Sequence, residues 1–174
     1  VKVESNGLET IIGTGCETAA SDGKSPKRLV KINGEIVKSQ ISLNDHLSVS
    51  WLTPQMDRLF VEGGSQRRRF IDRLVFAFDA QHSKRVNQYN HALRERKKLL
   101  QSWTKDTSWL DAIENSLAEM GVAITVTRQD LIRRLSPIIG KNMGLFPSAI
   151  ISMEGEVENW LENNSALEVE QRFR

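Results

Sequence analysis

From Leu110 to Ile138 the positions Leu110, Ile113, Leu117, Met120, Ile124, Thr127, Leu131 and Ile138 recur at spacings of three and four, interrupted by Arg134. A largely apolar stripe of that period lies on one side of a helix and is buried only against a second helix, so this stretch commits the chain to helix pairing. The partner lies just upstream, where Ala80 to about Trp103 carries apolar or aromatic residues at 86, 89, 93, 99, 100 and 103. The link Lys105-Asp106-Thr107 is short, and Ser108 with Asp111 reads as a capping box. An antiparallel coiled-coil hairpin over about 80–139 is the expectation, with Pro137 and Gly140 ending its second arm.

The first third reads differently. Val1-Lys2-Val3, Leu8 to Thr14, Arg28 to Asn33 and Glu35 to Lys38 are short strands, and Asn33-Gly34 is a hairpin turn of the kind that tolerates positive φ. Glu17 to Lys27 is a polar loop, and Ser42 to Leu47 a short helix. Val49 to Leu52 reads as a strand that delivers Thr53-Pro54-Gln55 to its end, with a helical turn over Met56 to Phe60. After the hairpin, Phe146 to Met153 reads as a strand and Glu156 to Arg174 as one or two acidic amphipathic helices. The fold class is therefore α+β, with a β-rich part over 1–64 and a helical part over 65–174. The chain opens on Val1 inside strand-like VKVES, so it is expected to begin within a longer protein.

At the junction, Gly63-Gly64 breaks the chain, Ser65 is a good N-cap, and Phe70, Ile71, Leu74, Val75 and Phe78 follow at helical spacing. Arg67, Arg68 and Arg69 then fall at the start of a helix, where the macrodipole disfavours cations by about 0.3–1 kcal/mol each. Something negative belongs beside them: either an internal carboxylate, Glu62, Asp57 or Asp72, or a phosphate. For Asp72 a salt bridge to Arg68 or Arg69 is the simpler reading, since no second acid or nucleophile is placed near it. Net charge is only +2, but residues 65–105 hold eleven Lys/Arg against three acids, while 154–170 hold six Glu and no basic residue. Within the basic block, Arg94, Arg96, Lys97 and Lys98 are accompanied only by Glu95. They are either the solvated face of a coiled coil or a phosphate-contacting surface.

Other chemistries find little support. Cys16 is a single thiol, which excludes a disulfide framework within the chain. His46, His82 and His91 are too scattered to share a metal-ligand face, and solvated or capping roles fit them better. Trp51, Trp103, Trp109 and Trp160 fit core or hairpin-tip packing better than base stacking. There is no run of eighteen apolar residues.

The run WLTPQMDRLFVEGGSQRRRFIDRLVFAFD and the following YNHALRERKKLL resemble the RecF family of bacterial DNA replication and repair proteins. The matching positions are Pro54, Gly63, Arg67 or Arg68 with its neighbour, Phe70, Ile71 and Asp72, then Tyr89, Leu93, Arg96 and Leu99-Leu100. NGEIVKSQISLNDHLSV before them and SALEVEQRFR after them also sit where the family has similar segments. Two positions depart: Gln55 stands where an acid is usual, and Ser65 where proline is common.

The resemblance implies an ABC-class ATPase head that uses ATP and magnesium in the full-length protein and dimerises around the nucleotide. It further implies binding to DNA at single-strand gaps and loading of recombinase with RecR and RecO partners, in the bacterial cytoplasm at the nucleoid. In this chain GLETIIGTG lacks the Lys-Ser/Thr ending of a phosphate loop, and the signature and catalytic acid are missing, so the chain itself is expected to be inactive. In ABC heads a glutamine at the end of a strand, where the sheet lobe passes to the helical lobe, reaches nucleotide, and Gln55 is expected at such a passage, although its residues alone read as a surface glutamine after a proline. DNA contact is implied for Arg94, Arg96, Lys97, Lys98, Arg67 and Arg68, and structural roles for Asp72, Arg69 and Ser65, with no metal ligands. The rival expectation is a coiled-coil interaction module whose basic arm docks an acidic partner.

Overall fold

A computed structural model describes residues 1–5, 7–16, 28–37, 43, 46, 47, 49, 51–102, 107–141, 144 and 147–174. The chain divides into two compact units, Val1–Leu52 and Thr53–Arg174. The division falls upstream of 64 because the 3-10 turn Pro54–Arg58 joins the helices. The sulfur of Met56 accepts from the Thr53 N–H at 3.4 Å and from Arg73 Nη2 at 3.6 Å.

The first unit holds an antiparallel four-stranded sheet in the order β1 (Lys2–Ser5), β2 (Leu8–Cys16), β3 (Arg28–Ile32), β4 (Glu35–Val37). Register places Lys2 opposite Ile11, Ile12 opposite Ile32 and Val30 opposite Val37. Alternation therefore puts Ile12 and Val30 on the same face, and both are buried. The β3–β4 turn has φ of 51° at Asn33 and 90° at Gly34, the pair of positive values that an Asn-Gly hairpin supplies at low cost. Asn33 also pins β2: its Oδ1 accepts from the Ile11 N–H at 2.8 Å and its N–H donates to the Ile11 carbonyl at 2.8 Å.

The polar loop 17–27, Trp103 and the hairpin link 105–106 lie outside the described residues. Of the expected helix 42–47, Leu43, His46 and Leu47 are described, and the N–H groups of His46 and Leu47 both donate to the Leu43 carbonyl. Two expected strands are not formed. Val49, Trp51 and Leu52 carry no ladder, and residues 147–153 run irregularly with Ile150 fully exposed. Among the described residues neither segment has a neighbouring strand to take its backbone groups, which a strand requires.

The second unit is helical: α1 (Gly64–Phe76), α2 (Ala80–Gln101), α3 (Thr107–Ile139), α4 (Glu156–Asn163) and α5 (Ala166–Phe173). Asp79 caps α2 by accepting from the Gln81 N–H at 2.9 Å. The helix α3 starts at Thr107, so Ser108 lies inside it rather than at the cap position. It also runs past Pro137 to Ile139, with the Gly140 N–H closing on the Ser136 carbonyl at 3.0 Å.

Contacts between α2 and α3 pair His82 with Thr127, Tyr89 with Gly121 and Arg96 with Glu114. Numbers rise along one helix as they fall along the other, so the hairpin is antiparallel. Beside α2, α3 also receives α5, whose Val169 is fully buried and whose Phe173 ring approaches Gly121. Any Cβ at Gly121 would lie 3.1 Å from Phe173 Cζ and 3.3 Å from Tyr89 Cε2, so glycine is what lets the two rings converge on α3. Because α3 is covered by both α2 and α5, its buried set, Leu117, Ala118, Gly121, Val122, Ile124, Thr125 and Leu131, is wider than one seam. Ile138, expected in that seam, is exposed.

Candidate functional site

The helix α1 begins at Gly64 with Gly63 as its N-cap, so Ser65 sits inside the first turn and does not cap it. No acid occupies that turn. Arg67 closes that turn and Arg68 and Arg69 follow in the next, all three exposed; Arg67 Nη1 donates to the Glu62 carbonyl at 2.8 Å. Among the described residues no ion pair engages Arg68 or Arg69. Arg67 thus stands at the positive end of a helix with Arg68 and Arg69 just beyond it, and none of the three is ion-paired to a carboxylate among the described residues.

Asp72 does not pair with Arg68 or Arg69. One turn further along α1 it faces inward, and helices α2 and α3 use both its oxygens. Arg128 Nε donates to Oδ1 at 2.7 Å and Arg128 Nη2 to Oδ2 at 2.8 Å, a two-pronged grip, while His82 Nε2 lies 2.7 Å from Oδ1. Burial pushes the Asp72 carboxyl up, but the hydrogen bonds from His82 and Arg128 and the Arg128 charge carry it below the usual carboxylate range. Since an ionised carboxylate only accepts, His82 Nε2 carries a proton. The other ring nitrogen lies 3.3 Å from Thr127 Oγ1, whose hydroxyl also donates to the Ala123 carbonyl at 2.6 Å.

His82 is therefore neither solvated nor a cap but fully buried at the point where three helices meet. Sequence reasoning missed both His82 and Arg128. The signal was their spacing. Along α2, His82, Arg85, Tyr89, Ala92, Arg96 and Leu99 recur at three and four, and along α3, Glu114, Leu117, Gly121, Ile124, Arg128 and Leu131 do the same. Both rows mix charged residues with apolar ones, and the charged ones find partners: Arg96 Nε donates to Glu114 Oε1 at 2.7 Å, and Arg85 pairs with the capping Asp79. Leu93 and Leu100, which the apolar count placed inside, are exposed.

This geometry also sorts the basic block. Arg96 turns inward to Glu114, so its charge is already matched across the hairpin. Arg94, Lys97 and Lys98 are exposed, with Lys98 Nζ 2.8 Å from Glu95 Oε1. Half-buried Tyr89 has its hydroxyl pKa raised by burial, against the opposing charges of Arg128 and Arg68. The helix-start arginines and the α2 cations thus belong to one helical unit, which Asp72 ties together. Gln55 is exposed on the 3-10 turn and does not close a strand, since the residues described before it form none. Among the described residues no group of three His, Cys, Asp or Glu side chains converges as a metal site, and no helix is long and apolar enough to cross a membrane.

The fold is α+β, an antiparallel four-stranded sheet unit followed by a helical unit. It superposes with a TM-score of 0.66 on 78% of this chain, at 24% identity, on a structure described as the recombination mediator protein RecF-ATPrS in the RecFOR pathway, of which it covers 36%. A second structure, described as RecF-ATP in the RecFOR pathway, gives a TM-score of 0.57 at 23% identity, covering 84% of this chain and 44% of that one. No protein-family model matches. In sequence the chain is 42% identical over 165 residues to the DNA replication and repair protein RecF of Mesorhizobium japonicum, covering 94% of this chain and 43% of that protein. It is 41% identical over 167 residues to RecF of Agrobacterium fabrum and 36% identical over 170 residues to RecF of Rhizobium meliloti, covering 95% and 97% of this chain and 43% and 45% of those proteins. The chain belongs to the RecF family and spans less than half the length of these curated relatives.

Proposed function

We propose that the chain is the DNA-contacting central part of a RecF-type recombination mediator, its helical unit carrying the contacts. The observation that carries this reading is the unequal treatment of its cations. The inward-turned arginines Arg128 and Arg96 are each paired with a carboxylate, whereas Arg67, Arg68, Arg94 and Lys97 are exposed and form no ion pair among the described residues. Unmatched cations on one unit favour a polyanion, and the relatives are DNA replication and repair proteins. In this reading Arg67 and Arg68 meet phosphate at the start of α1, and Arg94, Lys97 and Lys98 meet it along the hairpin. Arg96 is excluded by its pairing with Glu114, and Arg69, Asp72 and Ser65 shape the helix start.

The sheet unit then belongs to the β-rich lobe of the head and α1–α5 to its helical lobe. Within the whole protein the head binds ATP with magnesium, with Gln55 as the nucleotide-facing residue of this stretch, and pairs as a nucleotide-dependent homodimer. It acts in the cytoplasm at gapped DNA, helping to load recombinase with RecR and RecO. The test uses a gapped duplex and the full-length protein with ATP. Arg67→Gln with Arg68→Gln should weaken binding and flatten the dependence of log affinity on log salt by roughly 0.9 for each phosphate no longer neutralised. Unchanged affinity and slope would remove the helix start from the interface.

A further inference from the structure

With His82, Tyr89, Ala92, Arg96 and Leu99 turned inward, the opposite side of α2 is fixed. It carries Lys84, Asn87, His91, Arg94, Lys98 and Gln101, again at spacings of three and four, and every one of them is exposed. That row contains no carboxylate and no apolar or aromatic side chain. At 1.5 Å per residue it runs for about 25 Å. Glu95 stands beside it, binding Lys98 at 2.8 Å.

We infer that this outward row of α2 is a continuous track for the phosphates of duplex DNA, and that Glu95 competes with phosphate for Lys98. The inference rests on the DNA-binding reading above and deepens it: the contact surface follows the helix face, from Lys84 to Gln101, and not the run of basic residues 94–98. Duplex DNA presents a charge about every 1.7 Å along its axis, so a long, thin row of evenly spaced cations and amides can engage it anywhere along its length. An acidic protein would be gripped through desolvated anchors, tryptophan and tyrosine foremost, and this row has neither. Asn87 and Gln101 add donors without charge, suited to phosphate and sugar oxygens.

The test follows binding of the full-length protein with ATP to a short mixed-sequence duplex by fluorescence anisotropy, between about 50 and 200 mM salt. Lys84→Gln should flatten the salt slope by roughly 0.9, as much as Arg94→Gln does, although the two positions lie ten residues apart. Asn87→Ala should lower affinity and leave the slope alone, since no counterion is released there. Arg96→Gln should leave the slope unchanged. Glu95→Gln should tighten binding and steepen the slope by up to about 0.9, because Lys98 is freed. Wild-type full-length protein that does not bind duplex in the presence of ATP sinks the DNA-binding reading itself. If the wild type binds while Lys84→Gln has no effect, or Arg96→Gln flattens the slope as much as Arg94→Gln, the track is overturned and that reading stands. Displacement of the duplex by polyglutamate at lower total charge would also overturn it, in favour of an acidic protein partner.

Discussion

The two units of this chain are held together in opposite ways. Among the described residues the sheet unit buries two apolar side chains, Ile12 and Val30, and its order comes from backbone register and one turn. The helical unit buries nine, from Val75 through Val169, and adds a paired charge cluster at Asp72, His82 and Arg128. A four-stranded meander with so small a core gains little from burial, whereas the helical unit has both a core and a reason to hold one arrangement. The helical unit should therefore carry most of the cooperative stability.

The largest expected effect comes from breaking the charge cluster. Arg128→Leu leaves Asp72 half-buried without its cation and should cost about 3–5 kcal/mol, read as a lower urea midpoint for helix loss. Leu117→Asp, which puts a charge into the buried hairpin seam, should be comparably severe, at about 3 kcal/mol or more. If amide exchange in β2 and β3 accelerates to the same extent in these variants, the two units unfold as one and the contrast fails. Acid should act on the same cluster. Because the Asp72 carboxyl titrates below its unfolded value, its contribution is fully present above about pH 4 and is lost as pH falls through the lower folded value. A melting temperature of Asp72→Asn that falls with acid as steeply as the parent's would assign the acid response elsewhere.

A smaller change is expected from Gly121→Ala, since the added methyl meets Phe173 and Tyr89 at once; about 1–3 kcal/mol is expected by thermal unfolding. An unchanged melting temperature would mean that α5 can shift away from α3. The smallest test touches the other unit. Asn33→Ala removes the hydrogen bond to the Ile11 N–H and strains a positive φ, which should weaken exchange protection in β2 by about 0.5–1.5 kcal/mol and leave the helical transition in place.

Much of this was legible in the residues. Asn33-Gly34 announced its hairpin because few other pairs tolerate two positive φ values, and the three-and-four spacing of Leu117, Ile124 and Leu131 located the hairpin core. What misled was counting only apolar residues along α2. The inward row there is half polar, so an apolar count rotated the face toward Leu93 and Leu100, which are exposed. The period itself was intact in His82, Tyr89, Ala92, Arg96 and Leu99. For Asp72 the failure was one of distance. Near neighbours Arg68 and Arg69 looked sufficient, and nothing local points to a partner 56 positions away. The strands expected at 49–52 and 146–153 show the limit of local propensity, because a strand is completed by a neighbour that its own residues do not name.

That 56-residue separation has a consequence for the order of events in folding. The contacts of α2 with α3 close outward from a short link, so each one shortens the loop that the next must close. The Asp72 contacts cannot start that way, because His82 and Arg128 lie on different arms and come together only after the hairpin has zipped. Docking of α1 is thus a late step, and its release an early one. The helix bearing Arg67, Arg68 and Arg69 should open and reclose on a hairpin that stays formed, with its amide protons exchanging ahead of those in α3. The arginine-bearing helix start is then the part of the unit whose presentation is decided last, by a single carboxylate.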